Sequence, residues 1–338
     1  MPEHLSLATE SRLLTHLVAS GHTATSFGAD VCRGLTASPK HLPPKYFYDA
    51  LGSKLFEAIC ELPEYYVTRA ETEVLARHAG DIAGSVGSPV RLVELGSGEG
   101  RKTRLLIEAL FLRQGTLEYL PIDISREAIE ASAEGLLRSY PELEISAFAG
   151  EFVPSLRALA EEASVSKGFR TLVIFLGSTL GNLEPGERLS LLSAVRGLLR
   201  PGDGLLVGVD LRKPVSVLVP AYDDALGVTA AFNLNVLVRI NRELGGRFDL
   251  TTFRHRAVWN EELSRIEMHL ESLRAQVVAI QELELEVSFE EGETIHTESS
   301  YKFESRQIEA LAEESGFELR RVWTDGKRRF GSHLLVAV

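Results

Sequence analysis

Residues 93–100 read VELGSGEG and follow the largely apolar stretch PVRL at 89–92, so this segment is predicted to pass from a β-strand through a glycine turn into a helix. Glycines let the backbone turn sharply and approach a ligand where a Cβ atom would clash, and the following helix offers unpaired N–H groups. The dinucleotide fingerprint G-x-G-x-x-G needs a glycine where Arg101 stands. The turn is therefore predicted to hold a nucleotide-like ligand other than a dinucleotide, with a glycine-rich loop that binds nothing as the alternative.

The length and composition of the chain limit what it can be. With 338 residues, 44% of them hydrophobic, it can bury a large core divided between two units. A net charge of −12 without a stripe of Lys and Arg disfavours nucleic acid as a partner. Because neither a leader pattern nor a bilayer-spanning apolar stretch is found, we expect a cytoplasmic protein with no membrane partner. Two distant cysteines and nine scattered histidines show no ligand spacing, so no metal is expected.

From about residue 71, strand and helix patterns alternate as a doubly wound, mostly parallel sheet requires. Strands are predicted over 90–95, 117–122, 144–149, 171–177 and 205–211, with helices between them, one over 125–140 and another starting near Pro185. After a helix over 307–315, strands over 317–324 and 330–338 are predicted to form a hairpin. An antiparallel hairpin that ends a parallel sheet resembles the Rossmann-like fold of class I methyltransferases, which bind S-adenosylmethionine (SAM).

Residues 212–302 interrupt this alternation. They contain an Asn-rich helical pattern and two stretches of alternating residues, at 265–273 and 283–289, which suggest an inserted antiparallel layer. We therefore predict an α/β SAM-binding domain over 70–211 and 303–338. Residues 1–69 and 212–302 are predicted to form a second, α+β domain that binds the substrate.

Acidic residues at strand ends are predicted to contact the cofactor. Asp123 follows the second strand, and its two oxygens can accept hydrogen bonds from both ribose hydroxyls. Since Ser125 is the better cap for the next helix, this role is favoured over capping by Asp123. Glu151 follows the third strand and can meet the adenine amino group while Phe152 packs on the purine. A solvated loop charge is the alternative for Glu151.

Tyrosines gather in two short segments before the sheet, at 42–49 (LPPKYFYD) and 62–69 (LPEYYVTR). Tyrosine combines a flat apolar face with one hydroxyl, which suits a pocket for a small amphipathic ligand or for a developing cation. The two segments are therefore predicted to form a pocket wall. Ordinary core packing is the alternative for about half of these rings.

Short strings in both predicted domains resemble one family, the histidine Nα-methyltransferases of ergothioneine biosynthesis. They are GLT at 34–36, LPPK at 42–45, FYD at 47–49, LPEYY at 62–66, FLGST at 175–179, GNL at 181–183, AYDDA at 221–225 and GVTAAFN at 227–233. The resemblance extends from about residue 33 to the C-terminus. It implies three successive methyl transfers from SAM to the α-amino group of L-histidine, giving the betaine hercynine.

The same resemblance, carried over motif by motif, implies the site residues. Those that border SAM would be Tyr65, Gly96, Lys102, Asp123, Glu151 and Phe152, although the family more often has Asp at position 151. Those that border histidine would be Tyr48, Asn182, Tyr222, Thr229, Met268, Glu298 and Ser300. A monomer is expected.

The chemistry of several of these residues suits histidine. Asn182 and Tyr222 can donate to an α-carboxylate, and this neutral pair avoids a fixed cation beside the nitrogen that becomes cationic. Glu298 can accept one imidazole N–H, and Ser300, two residues along an extended segment, can donate to the other ring nitrogen. Met268 can press its flexible thioether against the ring, although as a lone residue it would more often be core filler.

Three other functions are compatible with parts of the sequence. A methyltransferase acting on another amino acid, such as tryptophan or a derivative, would share the fold. A nicotinamide-dependent dehydrogenase is disfavoured by Arg101 and by the terminal hairpin. A module that only senses SAM would leave the tyrosine segments and Glu298 unexplained.

Overall fold

The structure, a computed structural model, describes residues 12–18, 27–98, 100–163 and 168–338. The chain forms two compact units. The described parts of the first are 12–18, 70–98, 100–163, 168–211 and 303–338, and those of the second are 27–69 and 212–302. This division differs from the sequence expectation at the N-terminus, because residues 12–18 were expected in the second unit.

The elements of the described residues follow in chain order. The strands are β1 Leu13–Leu17, β2 Lys40–His41, β3 Val90–Leu95, β4 Leu117–Asp123, β5 Leu143–Ala149, β6 Arg170–Phe175, β7 Gly204–Asp210, β8 Phe253–Asn260, β9 Arg265–Ser272, β10 Gln276–Ile280, β11 Leu285–Phe289, β12 Thr294–Tyr301, β13 Phe317–Thr324 and β14 Phe330–Ala337. The helices are α1 Phe27–Thr36, α2 Ala50–Glu61, α3 Val67–Ala83, α4 Thr103–Gln114, α5 Arg126–Ser139, α6 Phe152–Ala163, α7 Pro185–Leu198, α8 Val215–Leu218, α9 Val228–Leu244 and α10 Ser305–Glu314. Short 3₁₀ segments include Thr179–Asn182 after β6.

The first unit is built on a sheet whose described strands are ordered β1-β5-β4-β3-β6-β7-β14-β13. The first six in this order run parallel, whereas β14 pairs antiparallel with β7 and β13 with β14. Every residue of β3 and β7 is buried, which explains their nearly continuous apolar sequences. The predicted class I methyltransferase fold with its terminal hairpin is confirmed.

Strand β1 belongs to the sheet of the first unit and was not predicted from the sequence. It pairs in parallel with β5, with Leu13 opposite Ile145 and Leu17 opposite Ala149, and the ring of His16 stacks on Phe148 at 4.5 Å. Its five residues are only half-buried or exposed, so its pattern LLTHL carries no clear alternation. The strand therefore belongs to the sheet of the first unit because β5 offers an edge to pair with.

The second unit contains a sheet in the order β2-β12-β9-β8 and a separate hairpin of β10 and β11, counted over the described residues. β12, β9 and β8 pair antiparallel, and the two-residue β2 joins β12 in parallel. The predicted antiparallel layer is confirmed, but its two predicted stretches are not partners. β9 pairs with β8 and β12, whereas β11 pairs with β10.

Within the described ranges, no helix is long and apolar enough to cross a membrane. In the same ranges no group of three or more His, Cys, Asp or Glu side chains is arranged to hold a metal ion.

Candidate functional site

The glycine turn after β3 has the backbone conformation that the sequence predicts. Gly96, Gly98 and Gly100 have positive φ angles of 71°, 47° and 65°, which residues with a Cβ rarely adopt. A Cβ atom on Gly96 would lie 3.6 Å from Cζ of Phe152, so the Phe152 ring lies directly beside this turn. Glu99 lies outside the described residues. The turn therefore offers an exposed backbone next to an aromatic face.

Asp123 at the end of β4 is joined to the glycine turn. Its Oδ2 accepts from the Gly98 N–H at 3.1 Å, and its Oδ1 accepts from the Ser125 N–H at 3.0 Å. Ser125 caps helix α5 as predicted, since its Oγ accepts from the Ala128 N–H at 3.2 Å. Each carboxylate oxygen of Asp123 keeps a lone pair with which it could accept from a further donor. Asp123 therefore keeps the hydrogen-bonding capacity that the predicted ribose-binding role requires.

Glu94, the fifth residue of β3, fixes the start of this turn from inside the core. Its Oε1 accepts from Oγ1 of Thr103 at 2.5 Å, and its Oε2 accepts from the hydroxyl of Tyr119. Burial raises the pKa of Glu94 to about 7, although both hydrogen bonds act in the opposite direction. No role for Glu94 was predicted, and the structure shows that it ties β3, β4 and α4 together.

Lys102 carries an ion pair that the sequence did not predict. Its Nζ contacts the carboxylate of Glu71, which is fully buried on α3. The same carboxylate accepts from the Gly177 N–H at 2.9 and 3.0 Å. A Cβ atom on Gly208 would lie 2.2 Å from Oε1 of Glu71. A glycine in a central strand often marks such a close approach, and this is the signal that could have pointed to Glu71.

The remaining predicted residues of the first unit are Glu151, Phe152 and Asn182. Glu151 is exposed, directly before α6, and Phe152 is half-buried with its ring edge-on to Phe175 at 5.6 Å. Asn182 is half-buried at the end of the 3₁₀ segment after β6. It lies in the first unit, whereas the other residues predicted to border histidine lie in the second.

In the second unit, Glu298 on β12 lies directly opposite Met268 on β9. A β-bulge at Thr297 produces this register, because His296 pairs with His269 and the next paired residue is Glu298. Neighbouring residues of a strand point to opposite faces, and paired residues share a face. Glu298 therefore shares the face of Met268, and the bulge separates it from the face that holds the two histidine rings.

The Glu298 carboxylate is the most unusual acid of this unit. Glu298 is 7% exposed, and no described residue donates a hydrogen bond to its carboxylate. Burial raises its pKa to about 7, and the charge of Lys302 only partly opposes this shift. A buried carboxylate without donors costs the folded protein free energy, and a ligand N–H would satisfy it.

Tyr222 and Ser300 are brought together as the resemblance implies. Their hydroxyl oxygens are 2.8 Å apart, and Nζ of Lys302 lies 2.8 Å from each of them. Lys302 itself is 1% exposed. It was missed by the sequence reasoning, although it continues the alternation of Glu298 and Ser300 by two further residues. A cation that the sequence reasoning did not foresee therefore lies at the Tyr222 hydroxyl.

Aromatic rings of the tyrosine segments form a connected group in the second unit. Phe56 contacts Tyr48 at 5.6 Å and Tyr65 at 6.1 Å, both edge-on, and Tyr65 contacts Tyr222 at 6.2 Å. Burial, followed by the charge of Tyr222, raises the pKa of Tyr65 well above its ordinary value. Tyr65 was predicted to border SAM, and the structure places it against a residue predicted to border histidine.

Thr229 is buried near the start of α9. Its N–H donates to Oδ1 of Asp224 at 2.7 Å, and the Val228 N–H donates to Oδ2 at 3.0 Å. These backbone bonds lower the pKa of Asp224 against the effect of burial. Asp224 thus fixes the first turn of α9, which carries Thr229.

Known proteins are similar to this chain along nearly its whole length. Residues 27–337 match the profile of a family described as histidine-specific methyltransferase, SAM-dependent. The histidine N-alpha-methyltransferase of Mycolicibacterium smegmatis is 44% identical over 323 residues, which cover 96% of this chain and 98% of that protein. The protein of the same name from Mycobacterium tuberculosis is 44% identical over 315 residues, covering 93% and 95%. Ergothioneine biosynthesis protein 1 of Neurospora crassa is 30% identical over 304 residues, covering 88% of this chain and 33% of that protein.

Proposed function

Because the chain belongs to the family of histidine-specific, SAM-dependent methyltransferases, we propose that it methylates the α-amino nitrogen of L-histidine three times. The product would be hercynine, and the reaction would be the first step of ergothioneine biosynthesis. The substrate is a small molecule, and SAM supplies each methyl group from its sulfonium centre.

The buried carboxylate of Glu298 is the main structural support for histidine as the substrate. It is buried beside Met268 and receives no hydrogen bond from the described residues. A bound imidazole N–H would satisfy this acceptor, and an ionised carboxylate makes a stronger hydrogen bond than a neutral group. Since Ser300 lies two residues along the same strand, its hydroxyl faces the same side and can donate to the second ring nitrogen.

The residues that would hold SAM lie around the glycine turn. Asp123 can accept from the ribose hydroxyls with the lone pairs that its two backbone contacts leave. The exposed backbone at Gly96 and the adjacent Phe152 ring fit a flat, polar-edged group such as adenine. Lys102, held by Glu71, is oriented from inside the core rather than by solvent.

Methylation requires a neutral amine, since an ammonium group has no lone pair with which to attack. Tyr65 does not take up the amine proton at neutral pH, because its raised pKa keeps its hydroxyl protonated. Its ring and those of Tyr48 and Phe56 instead offer aromatic faces that favour a quaternary ammonium product. The chain thus contributes mainly binding and orientation, which can supply much of the rate of a two-reactant transfer.

Turnover of single amino acids at a fixed SAM concentration tests this function. The purified protein is incubated with SAM and either histidine or tryptophan, and mass spectrometry counts the methyl groups on each product. We expect trimethylated histidine and little methylated tryptophan. Equal or faster methylation of tryptophan would contradict the assignment and support the other amino acid substrates considered above.

Calorimetry provides an independent measurement on the same protein. Histidine is titrated with and without S-adenosylhomocysteine, the product that SAM leaves behind. Heat from histidine binding that disappears in Glu298→Ala but persists in Glu286→Gln, an exposed strand position, would support the proposed contact. Equal binding by all three proteins would contradict it. Action as a cytoplasmic monomer stays a prediction, which light scattering tests for the oligomeric state.

A further inference from the structure

Lys302 is a buried charged group of the second unit that the proposed reaction does not yet use. Its side chain is almost completely buried, and its Nζ lies 2.8 Å from both the Tyr222 hydroxyl and Oγ of Ser300. The same Nζ lies 4.6 Å above the centre of the Tyr222 ring. Burying a lysine costs the folded protein free energy unless hydrogen-bond acceptors satisfy its ammonium group. The contacts of Lys302 with Tyr222 and Ser300 are therefore part of the packed interior, unlike those of a surface lysine.

The backbone of Lys302 is fixed as well as its side chain. Its N–H donates to the carbonyl oxygen of Ser264 at 2.8 Å, and Oγ of Ser264 donates to the Lys302 carbonyl at 3.2 Å. Ser264 has a φ of 52°, a conformation that few residues other than glycine adopt, and it lies in the turn between β8 and β9. The turn directly before β9, the strand that contains Met268, therefore fixes the backbone of Lys302.

The chemistry of an ammonium group determines where the neighbouring hydroxyl hydrogens point. An ammonium only donates, so the Tyr222 oxygen and Oγ of Ser300 both accept from Lys302. Their hydrogens are therefore directed away from Nζ. One of these two hydrogens can form the 2.8 Å hydrogen bond between the hydroxyls. The other hydrogen can then be donated to a different acceptor.

We propose that Lys302 is a positioning residue that makes the Tyr222–Ser300 pair a hydrogen-bond donor toward histidine. This inference rests on the proposed function, because it needs a ligand with acceptors, such as a ring nitrogen or a carboxylate. With Lys302 in place, each hydroxyl oxygen has its donor, and the ligand acceptor receives a hydroxyl hydrogen. Without Lys302, one of the two hydroxyl oxygens has no donor and nothing directs the remaining hydroxyl hydrogen toward the ligand, so the hydrogen bond to the ligand is lost.

Lys302→Met tests the proposal because it keeps the length and the apolar stem but removes every donor. We expect the dissociation constant and KM for histidine to rise about tenfold, the cost of one net hydrogen bond. Turnover at saturating histidine and binding of S-adenosylhomocysteine should change by less than about threefold. If this variant does not fold, Lys302→Gln, which keeps an amide donor, is measured in its place, with a smaller loss expected.

Lys213→Met is the matched control. Nζ of Lys213 lies 2.8 Å from the Tyr66 hydroxyl and 4.6 Å above the Tyr66 ring, the same pairing as that of Lys302 with Tyr222. Neither residue is among those assigned to histidine or SAM. We expect histidine binding by Lys213→Met to stay within about twofold of the unchanged protein, as for a substitution outside the site.

A double-mutant cycle separates the hydroxyl mechanism from an effect of charge on Glu298. In a Tyr222→Phe/Ser300→Ala background, Lys302→Met should change histidine binding by less than about twofold, because no hydroxyl remains to be oriented. In a Glu298→Gln background, the full loss should persist. A tenfold loss that survives without the hydroxyls, or that vanishes only without Glu298, would overturn the proposal.

The result for the unchanged protein distinguishes the two levels of inference. If it neither binds nor methylates histidine, the proposed function fails and the role of Lys302 fails with it. If it methylates histidine and Lys302→Met binds histidine as well as the unchanged protein, only the inference about Lys302 fails.

Discussion

Replacing Glu298 by glutamine is expected to stabilise the unliganded protein at alkaline pH. The ordinary pKa of this carboxyl is 4.5, and burial raises it to about 7 in the folded protein. A group whose pKa is raised by folding stabilises the fold fully below its unfolded pKa, and this contribution is lost as the pH rises through the folded pKa. Glutamine is neutral at every pH, like the protonated carboxyl, so the variant does not lose this stability as the pH rises.

The size of the effect follows from the two pKa values. A difference of one between the folded and unfolded pKa corresponds to about 1.4 kcal/mol, so full ionisation of Glu298 lowers the free energy of unfolding by about 3 kcal/mol. The advantage of Glu298→Gln should therefore be about 1 kcal/mol at about pH 5.5 and about 3 kcal/mol at about pH 8.5. Glu94 also has a pKa raised to about 7, but it is present in both proteins and cancels in the difference.

Urea unfolding of both proteins without ligands, at several pH values between about 5.5 and 8.5, measures this difference. Glu286→Gln is the control, since this exposed strand residue should show the same stability as the unchanged protein at each pH. The reasoning is refuted if the advantage of Glu298→Gln stays constant or shrinks as the pH rises. The same variant should bind histidine about tenfold more weakly, because a neutral acceptor replaces a charged one.

The other predictions concern individual contacts. Asp123→Ala should weaken binding of S-adenosylhomocysteine by about 1.5–3 kcal/mol with the fold intact, and unchanged affinity by calorimetry would contradict the ribose role. Glu298→Ala should lower kcat/KM for histidine about 30- to 150-fold, and adding Met268→Val should move preference toward tryptophan; an unchanged ratio of the two substrates would make Glu298 merely structural. Glu71→Gln should raise the KM for SAM about three- to tenfold by releasing Lys102, with the KM for histidine as the internal control.

Much of the first unit could be predicted from local sequence alone. A strand covered on both faces reads as a continuous apolar run, and three glycines with positive φ angles mark the turn that follows. Ser125 could be recognised as a helix cap because capping depends on a hydrogen bond only three residues away. These features depend on neighbours in the chain, so their residue types are sufficient to predict them.

The composition of the candidate site was only partly predictable. The resemblance to a family supplied Glu298, Met268, Tyr222 and Ser300, which the structure joins as two pairs, one by strand register and the other by a hydrogen bond. Glu71 and Lys302 could not be found in this way, since each contacts a partner far away along the chain. Nζ of Lys302 donates to the Tyr222 hydroxyl, 80 residues earlier. Glu71 accepts from the Gly177 N–H, 106 residues further along the chain.

Register and edge pairing were decided by tertiary structure. β1 has a weak pattern of its own and joins the sheet because β5 offers an unpaired edge. The single bulge at Thr297 places Glu298 opposite Met268 rather than on the face of His296, and a shift of one residue would reverse this. The sequence determined that a carboxylate and a hydroxyl two residues apart would share a face. The face of the sheet on which Glu298 and Ser300 lie depends on hydrogen bonds to β9, about thirty residues earlier in the chain. No local sequence pattern encodes such a pairing.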